Sequence, residues 1–204
     1  MLLVAGGVFL FGALAAGLAL RTGIHRRQSA LTNLLLEKEG ITMFRPMRRK
    51  RQLLSEEQSI AVLQRQTAGV LAVSGDDGYP YAVPLSYVYQ DGKLFFHCAK
   101  AGHKLDAIVN NDKVSFCVVD QDQVVPEQYT TYFRSVIVFG RARVLDNEAE
   151  KRAALELLAA KYSPELEQGR LEEIERQFQS VCMVELAIEH LTGKQAIELV
   201  RGQS

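Results

Sequence analysis

Asp77-Gly78 and Asp91-Gly92 punctuate the stretch from Gly75 to Lys104, GDDGYPYAVPLSYVYQDGKLFFHCAKAGHK, and leave it little choice but to fold as hairpins. Each dipeptide tolerates positive φ, and each borders a run rich in Val, Tyr, Phe and Leu, the local signature of strands joined by a tight turn. Two such turns predict three neighbouring strands. Pro80 and Pro84 have no N–H to donate to a ladder, so Tyr79 to Leu85 is expected at an edge or in a bulged stretch, with backbone groups left over for a ligand. At and beyond the end of the third strand His97, His103 and Lys104 gather where a helix begins, an arrangement suited to an anionic aromatic ligand.

The 204 residues carry no net charge, but the balance conceals two unlike parts. Through Arg51 there are nine Lys or Arg against two acids, and from Gln52 onward fifteen face twenty-two. A basic arm ahead of an acidic domain leaves no basic surface to spare for nucleic acid, and no RNA-binding or helix-turn-helix signature is present. From Met43 to Ser204 the chain is long enough for one globular core and too short for two, so a single domain over 43–204 is expected.

Residues 1–20, MLLVAGGVFLFGALAAGLAL, are uncharged and long enough to cross a bilayer as a helix, and Arg21, Arg26 and Arg27 follow. Read literally, they form an inner-membrane anchor with the domain in the cytoplasm; the basic n-region of a cleaved signal peptide does not precede them. A second reading concerns the gene. Glu37-Lys38-Glu39-Gly40 can be encoded by purine-rich codons spelling a ribosome-binding site, with Ile41-Thr42 as the spacer before Met43. On that reading translation starts at Met43, residues 1–42 are extraneous and the protein is cytoplasmic. Intact-mass measurement of the native protein separates the two. Cys98, Cys117 and Cys182 are odd in number and lack CxxC spacing, which predicts reduced, core-filling cysteines.

The pattern along the domain is α+β and mainly β. Ser55-Glu56-Glu57-Gln58 is a capping box that opens a helix to about Gln66. Strands are expected at 70–73, 82–89, 93–98 and 113–119, then a polar loop at 120–128, a long strand within 129–145 and a last strand at 182–188. In the long strand Val136, Val138, Gly140, Ala142 and Val144 share one face and Ile137, Phe139, Arg141 and Arg143 the other, so the first set lines an interior. Helices are expected at 104–109, at 147–161 with Asp146 as cap, at about 167–178 and at 192–199. Six strands in hairpin-rich order with peripheral helices predict a six-stranded Greek-key barrel.

Several chemistries lack their residues. No GxGxxG opens a helix, and Gly193-Lys194 has neither the upstream glycine nor the following hydroxyl of a P-loop. His97, Cys98 and His103 lack a fourth metal ligand, and His97 and Cys98 point to opposite strand faces, so no metal site is expected. Ser86 or Cys98 with His97 has no orienting acid for nucleophilic catalysis. Arg134, just ahead of an apolar strand in TTYFRSVIVFG, has two readings: a rim salt bridge to Asp120 or Asp122, or a donor to an anionic ligand. Lys104 is likewise either solvated or a phosphate ligand at a helix start.

In order along the chain, DGYPYAVPLSYVY, GKLFFHCAKAGHKLDAI, VSFCVVD and TTYFRSVIVFGRARVL resemble the pyridoxamine 5′-phosphate oxidase-like split-barrel flavoproteins, in particular their nitroimidazole-resistance branch, over about Met43 to Val200. The basic opening MRRKRQLLSEEQ also looks like the beginning of such proteins. The resemblance implies a split barrel that binds FMN as a homodimer, with two flavins at the subunit interface. It implies that Ala82, Val83, Pro84, Leu85 and Tyr87 lie along the flavin ring and that His97, Cys98 and Ala99 flank it. Lys104, with His103 beside it, would meet the phosphate. Tyr132, Arg134 and Ser135 would approach from the long strand, of this subunit or its partner. His97 matches the family histidine near flavin and substrate and is the candidate catalytic residue, whereas Ser86 stands where relatives tend to carry an amide. The implied activity is FMN-dependent reduction of a small electron-poor acceptor such as a nitroaromatic, with NAD(P)H as donor and a proton from His97 or water. Two alternatives remain. One is a split-barrel flavin- or haem-binding protein without turnover, with His97 or His103 as the haem ligand. The other is a pyridoxamine-phosphate oxidase, whose extra basic and C-terminal motif is not found in the chain.

Overall fold

Residues 44–202 are described by the structure, a computed structural model. The apolar stretch 1–20 and the start at Met43 lie outside the described residues, among which no helix is long and apolar enough to cross a membrane.

Both Asp-Gly dipeptides form turns with positive φ, 53° and 80° at Asp77 and Gly78 and 48° and 80° at Asp91 and Gly92. The first folds β1 (Ala68–Ser74) onto β2 (Pro80–Ser86), and the second folds β3 (Val88–Gln90) onto β4 (Lys93–Ala99). The strand expected at 82–89 is therefore two strands, broken at Tyr87. The strands beside the turns are not three neighbours either. In the antiparallel sheet the order is β2-β1-β5-β6-β7-β4-β3, with the first hairpin at one end and the second at the other. Between them run β5 (Lys113–Val125), β6 (Thr130–Val144) and β7 (Val181–Gln195), so that seven strands replace the expected six.

Tyr87 alone separates β2 from β3, although these strands are the two ends of the sheet. Laid flat, they would stand about 29 Å apart at about 4.8 Å per strand, far beyond the reach of one residue. The sheet is therefore curled on itself, and the Tyr87 ring, fully buried, is turned into the space it encloses. Val136, Val138, Gly140 and Ala142 face inward and Ile137, Phe139, Arg141 and Arg143 outward, as the alternation requires. Gly140 marks a register shift between β6 and β7, and a Cβ there would lie 2.1 Å from the Ala187 carbonyl oxygen, a contact that no other residue fits unchanged.

Helix α1 (Glu56–Arg65) opens on the expected capping box, Gln58 N–H donating to Ser55 Oγ at 3.1 Å and Ser55 N–H to Gln58 Oε1 at 2.9 Å. Next come α2 (His103–Asn110), α3 (Glu148–Tyr162), α4 (Glu167–Gln177) and a short α5 (Ile197–Arg201). The cap of α3 is Asn147, not Asp146: its Oδ1 accepts from the N–H groups of Ala149 and Glu150. Two further expectations are corrected. Most of the polar stretch 120–128 is strand, because Gln121 to Val125 pair with Thr130 to Arg134, and 192–195 extends β7 instead of opening a helix.

Outside the curled sheet, Val88, Phe95, Leu145, Ala154, Leu158 and Met183 form a second core that seats α3 on the β3-β4-β7 end. Phe95 and His97 are two residues apart and share a face of β4, so this packing places α3 over the face that carries His97.

Candidate functional site

Between that face and the helices lies a cavity of about 550 Å³, bounded by Ser86 and His97 on the sheet, Leu155 and Tyr162 on α3, and Ile174 and Gln177 on α4. His97 is exposed and Cys98 beside it is buried, which follows from strand alternation. Cys98 lies directly across from Cys182 on β7. Burial, with Cys182 adding to it, pushes the Cys98 thiol up to about 11 against the opposing pull of Lys104, so at neutral pH it is an unreactive core group.

The cavity's helical wall is pinned where the two sheet ends meet. The Tyr162 hydroxyl accepts from the Tyr87 N–H at 3.0 Å and bonds the Thr67 carbonyl. One residue earlier, Lys161 Nζ donates to the Gln66 carbonyl at 2.5 Å and lies 4.2 Å from the Tyr87 ring centroid. Burial draws the Lys161 ammonium from 10.5 down to about 8. The unfolded chain therefore binds more protons between pH 8 and 10.5, and stability from this group rises with pH across that window. Lys161→Met is expected to abolish that rise, and urea unfolding at stepped pH checks it.

The other expected site residues occupy three places. Ala82, Val83, Pro84 and Leu85 lie on β2, an end strand with one unpaired edge, while the Tyr87 side chain belongs to the core and is closed to a ligand. Ala99 ends β4, and Lys104 is half-buried in the first turn of α2. His103 turns to the first hairpin: its ring stacks on Tyr81 with centroids 4.2 Å apart, and Nε2 lies 3.6 Å from Asp76 Oδ2. Tyr132, Arg134 and Ser135 sit on β6, and none of them lines the His97 cavity. Tyr132 donates to Gln128 Oε1 at 2.7 Å.

For Arg134 the salt-bridge reading holds. Its Nη1 is 3.2 Å from Asp120 Oδ2 and its Nε 3.3 Å from Gln195 Oε1. Asp120 also receives Arg65 through two bonds of 2.7 and 2.5 Å, and Gln66 at 2.8 Å. Burial disfavours its charge, yet these donors outweigh it and hold the carboxyl below its ordinary range. Beside this cluster Arg65, Arg134, Gln58 and Gln195 border a smaller cavity of about 160 Å³. Among the described residues no cluster of three His, Cys, Asp or Glu could hold a metal.

Sequence reasoning missed the α3–α4 wall. Nothing in the polar, charge-rich run 167–177 signals that Ile174 and Gln177 face a cavity.

The chain thus combines a curled antiparallel sheet, an end strand with two prolines and a histidine at a cavity walled by helices. The family model described as pyridoxamine 5′-phosphate oxidase matches residues 55–195. The chain belongs to the pyridoxamine 5′-phosphate oxidase family. Solved structures share its fold. A candidate 5-nitroimidazole antibiotic resistance protein of Bacteroides thetaiotaomicron is 18% identical with a TM-score of 0.59, over 70% of this chain and 86% of that one. A FAD-binding protein of Mesorhizobium loti is 24% identical at 0.54, over 71% and 97%. A FAD and haem binding protein of Mycobacterium smegmatis is 22% identical at 0.61, over 72% and 73%. No curated protein matches the chain.

Proposed function

We propose that this protein is an FMN-dependent oxidoreductase of split-barrel form, working as a homodimer and reducing small electron-poor aromatic acceptors of the nitro type with NAD(P)H as donor. The observation that carries the reading is the exposed His97 at a largely apolar cavity, in a member of a family that includes flavin enzymes. The residues present fit the cofactor. A proline suits only positions without a ladder donor, so Pro80 and Pro84, which share one parity on β2, belong on its outward side. The Ala82 N–H and neighbouring carbonyls then face the free edge, where the polar rim of a planar ring can pair with them. Lys104 in the first turn of α2 supplies charge for a phosphate.

FMN held there would supply hydride chemistry. His97 presents a proton at the acceptor oxygen, and one hydride with one proton turns a nitro group into nitroso and water. Water can replace His97 in that role, so His97→Gln is expected to slow acceptor reduction about tenfold while FMN stays bound, read from stopped-flow reoxidation and flavin content.

The homodimer is supported by an exposed apolar patch. The outer sheet face provides the surface: Val70, Val119 and Ile137 are 37%, 58% and 41% exposed, and Val70, Cys117 and Ile137 stand directly across from one another on β1, β5 and β6. The test is direct. Purified protein should be yellow, release FMN, elute as a dimer, bleach with NADH or NADPH and recover colour with a nitroaromatic. A colourless monomer indifferent to FMN defeats the reading, and a Soret-type band would favour the haem alternative that the mycobacterial structure suggests.

A further inference from the structure

The cavity beside His97 exceeds what a one-ring acceptor needs. Its volume is about 550 Å³, within the range of about 300–1,000 Å³ that suits drug-sized ligands. Protein interiors fill about three-quarters of the space available, so a one-ring nitro compound of on the order of 110 Å³ would leave most of these walls without a partner atom. The walls also differ in chemistry. Ser86 and His97 stand on the sheet side, whereas Leu155, Ala159 and Ile174 make much of the helical side apolar. Among the described residues Glu173 is the one carboxylate on the lining, and it is ion-paired to Arg176 and offers a ligand little net charge.

We infer that this cavity is the acceptor chamber, built for an uncharged planar aromatic of two or three fused rings, and that α3 and α4 set its size limit. The inference rests on the oxidoreductase reading for the word acceptor, and on the cavity alone for ring size. His97 and Ser86 meet the polar end of the ligand, and the helices cover its extra rings.

Equilibrium dialysis of the purified protein against nitrobenzene and 1-nitronaphthalene tests it, with FMN content measured on the same samples. The added ring buries about 50 Å² more apolar surface, so 1-nitronaphthalene is expected to bind about tenfold tighter. Ala159→Trp, projecting from α3, should cost 1-nitronaphthalene at least about tenfold and nitrobenzene no more than about threefold. Equal losses, or none, overturn the chamber. Should that variant not fold, Glu173→Trp at an exposed position on α4 makes the same test. Ring-size dependence in a protein that takes no FMN would keep the chamber and remove the oxidoreductase. FMN-loaded protein without ring preference would remove the chamber alone.

Discussion

Asp120→Ala is expected to cost about 3 kcal/mol of folding stability, read as a lower urea midpoint at unchanged slope. Asp120 falls at the bulge where the pairing of β5 with β6 shifts between Val119 and Gln121, so it is the extra residue that no β6 partner opposes. The bulge aims its side chain, only 4% exposed, at donors from two other elements: Arg65 and Gln66 at the end of α1, and Arg134 on β6. Breaking such a pair from one side costs about 3–5 kcal/mol when the remaining charge stays buried. Arg65 is 45% exposed and can return to water, while Arg134 at 23% cannot do so fully, which places the effect at the lower end. The acid limb gives a second readout. The folded carboxyl titrates below its ordinary 3.8, so its contribution is complete above that value and is lost as pH falls through the folded pKa. The variant should show a shallower acid loss. Some will persist, because Glu185, buried between Lys93 at 2.7 Å and Arg143 at 3.0 Å, is shifted in the same direction.

How much of this was legible in the sequence depends on whether a signal was local. The Asp-Gly turns, the Ser55 capping box and the alternation of Val136 to Ala142 are carried by adjacent residues, and the structure reproduces each of them. Strand partners are not local, which is why two correctly read turns led to three neighbouring strands when the hairpins sit at opposite ends of the sheet. Polar composition at 120–128 also misled. Its residues pair with Thr130 to Arg134 in a ribbon exposed enough to need no apolar face, turning through Pro126 to Tyr129 with Tyr129 at φ 52°. Tyr87 reads as one more aromatic of a strand, yet it is the link between the sheet ends, and no pattern of spacing could say so.

The site divides in the same way. His97 was visible through its strand and neighbours, and Arg134 through the cost of a cation ahead of an apolar run, with its salt-bridge partner Asp120 among the two acids considered. Arg65 was not, because it lies far from Asp120 in sequence and on a helix whose charges look solvated. The α3–α4 wall was invisible for a related reason. The seat of α3 in it is set by Ala154 and Leu158 packing on Val88, Phe95 and Met183, residues of three separate strands.

Lys104→Glu is expected to lower FMN affinity by about 10²–10³ and to leave the fold intact. A phosphate at the start of α2 would gain a charge-assisted bond from the ammonium, about 1.5–3 kcal/mol, besides the exposed N–H groups of the first turn. Reversing the charge removes that bond and sets a carboxylate against the phosphate, which together give about 3–4 kcal/mol, the stated range in affinity. Little else depends on the side chain: Lys104 is half-buried and forms no salt bridge among the described residues, so thermal melting without flavin should move little. Lys113→Glu, at an exposed lysine on β5, is the control for a general change of charge. Fluorescence titration with FMN separates the two variants. Equal affinities would take Lys104 out of the phosphate site. Because Asp76 and Tyr81 engage His103, the α2 backbone would then be left to hold the phosphate without a side-chain cation from that turn.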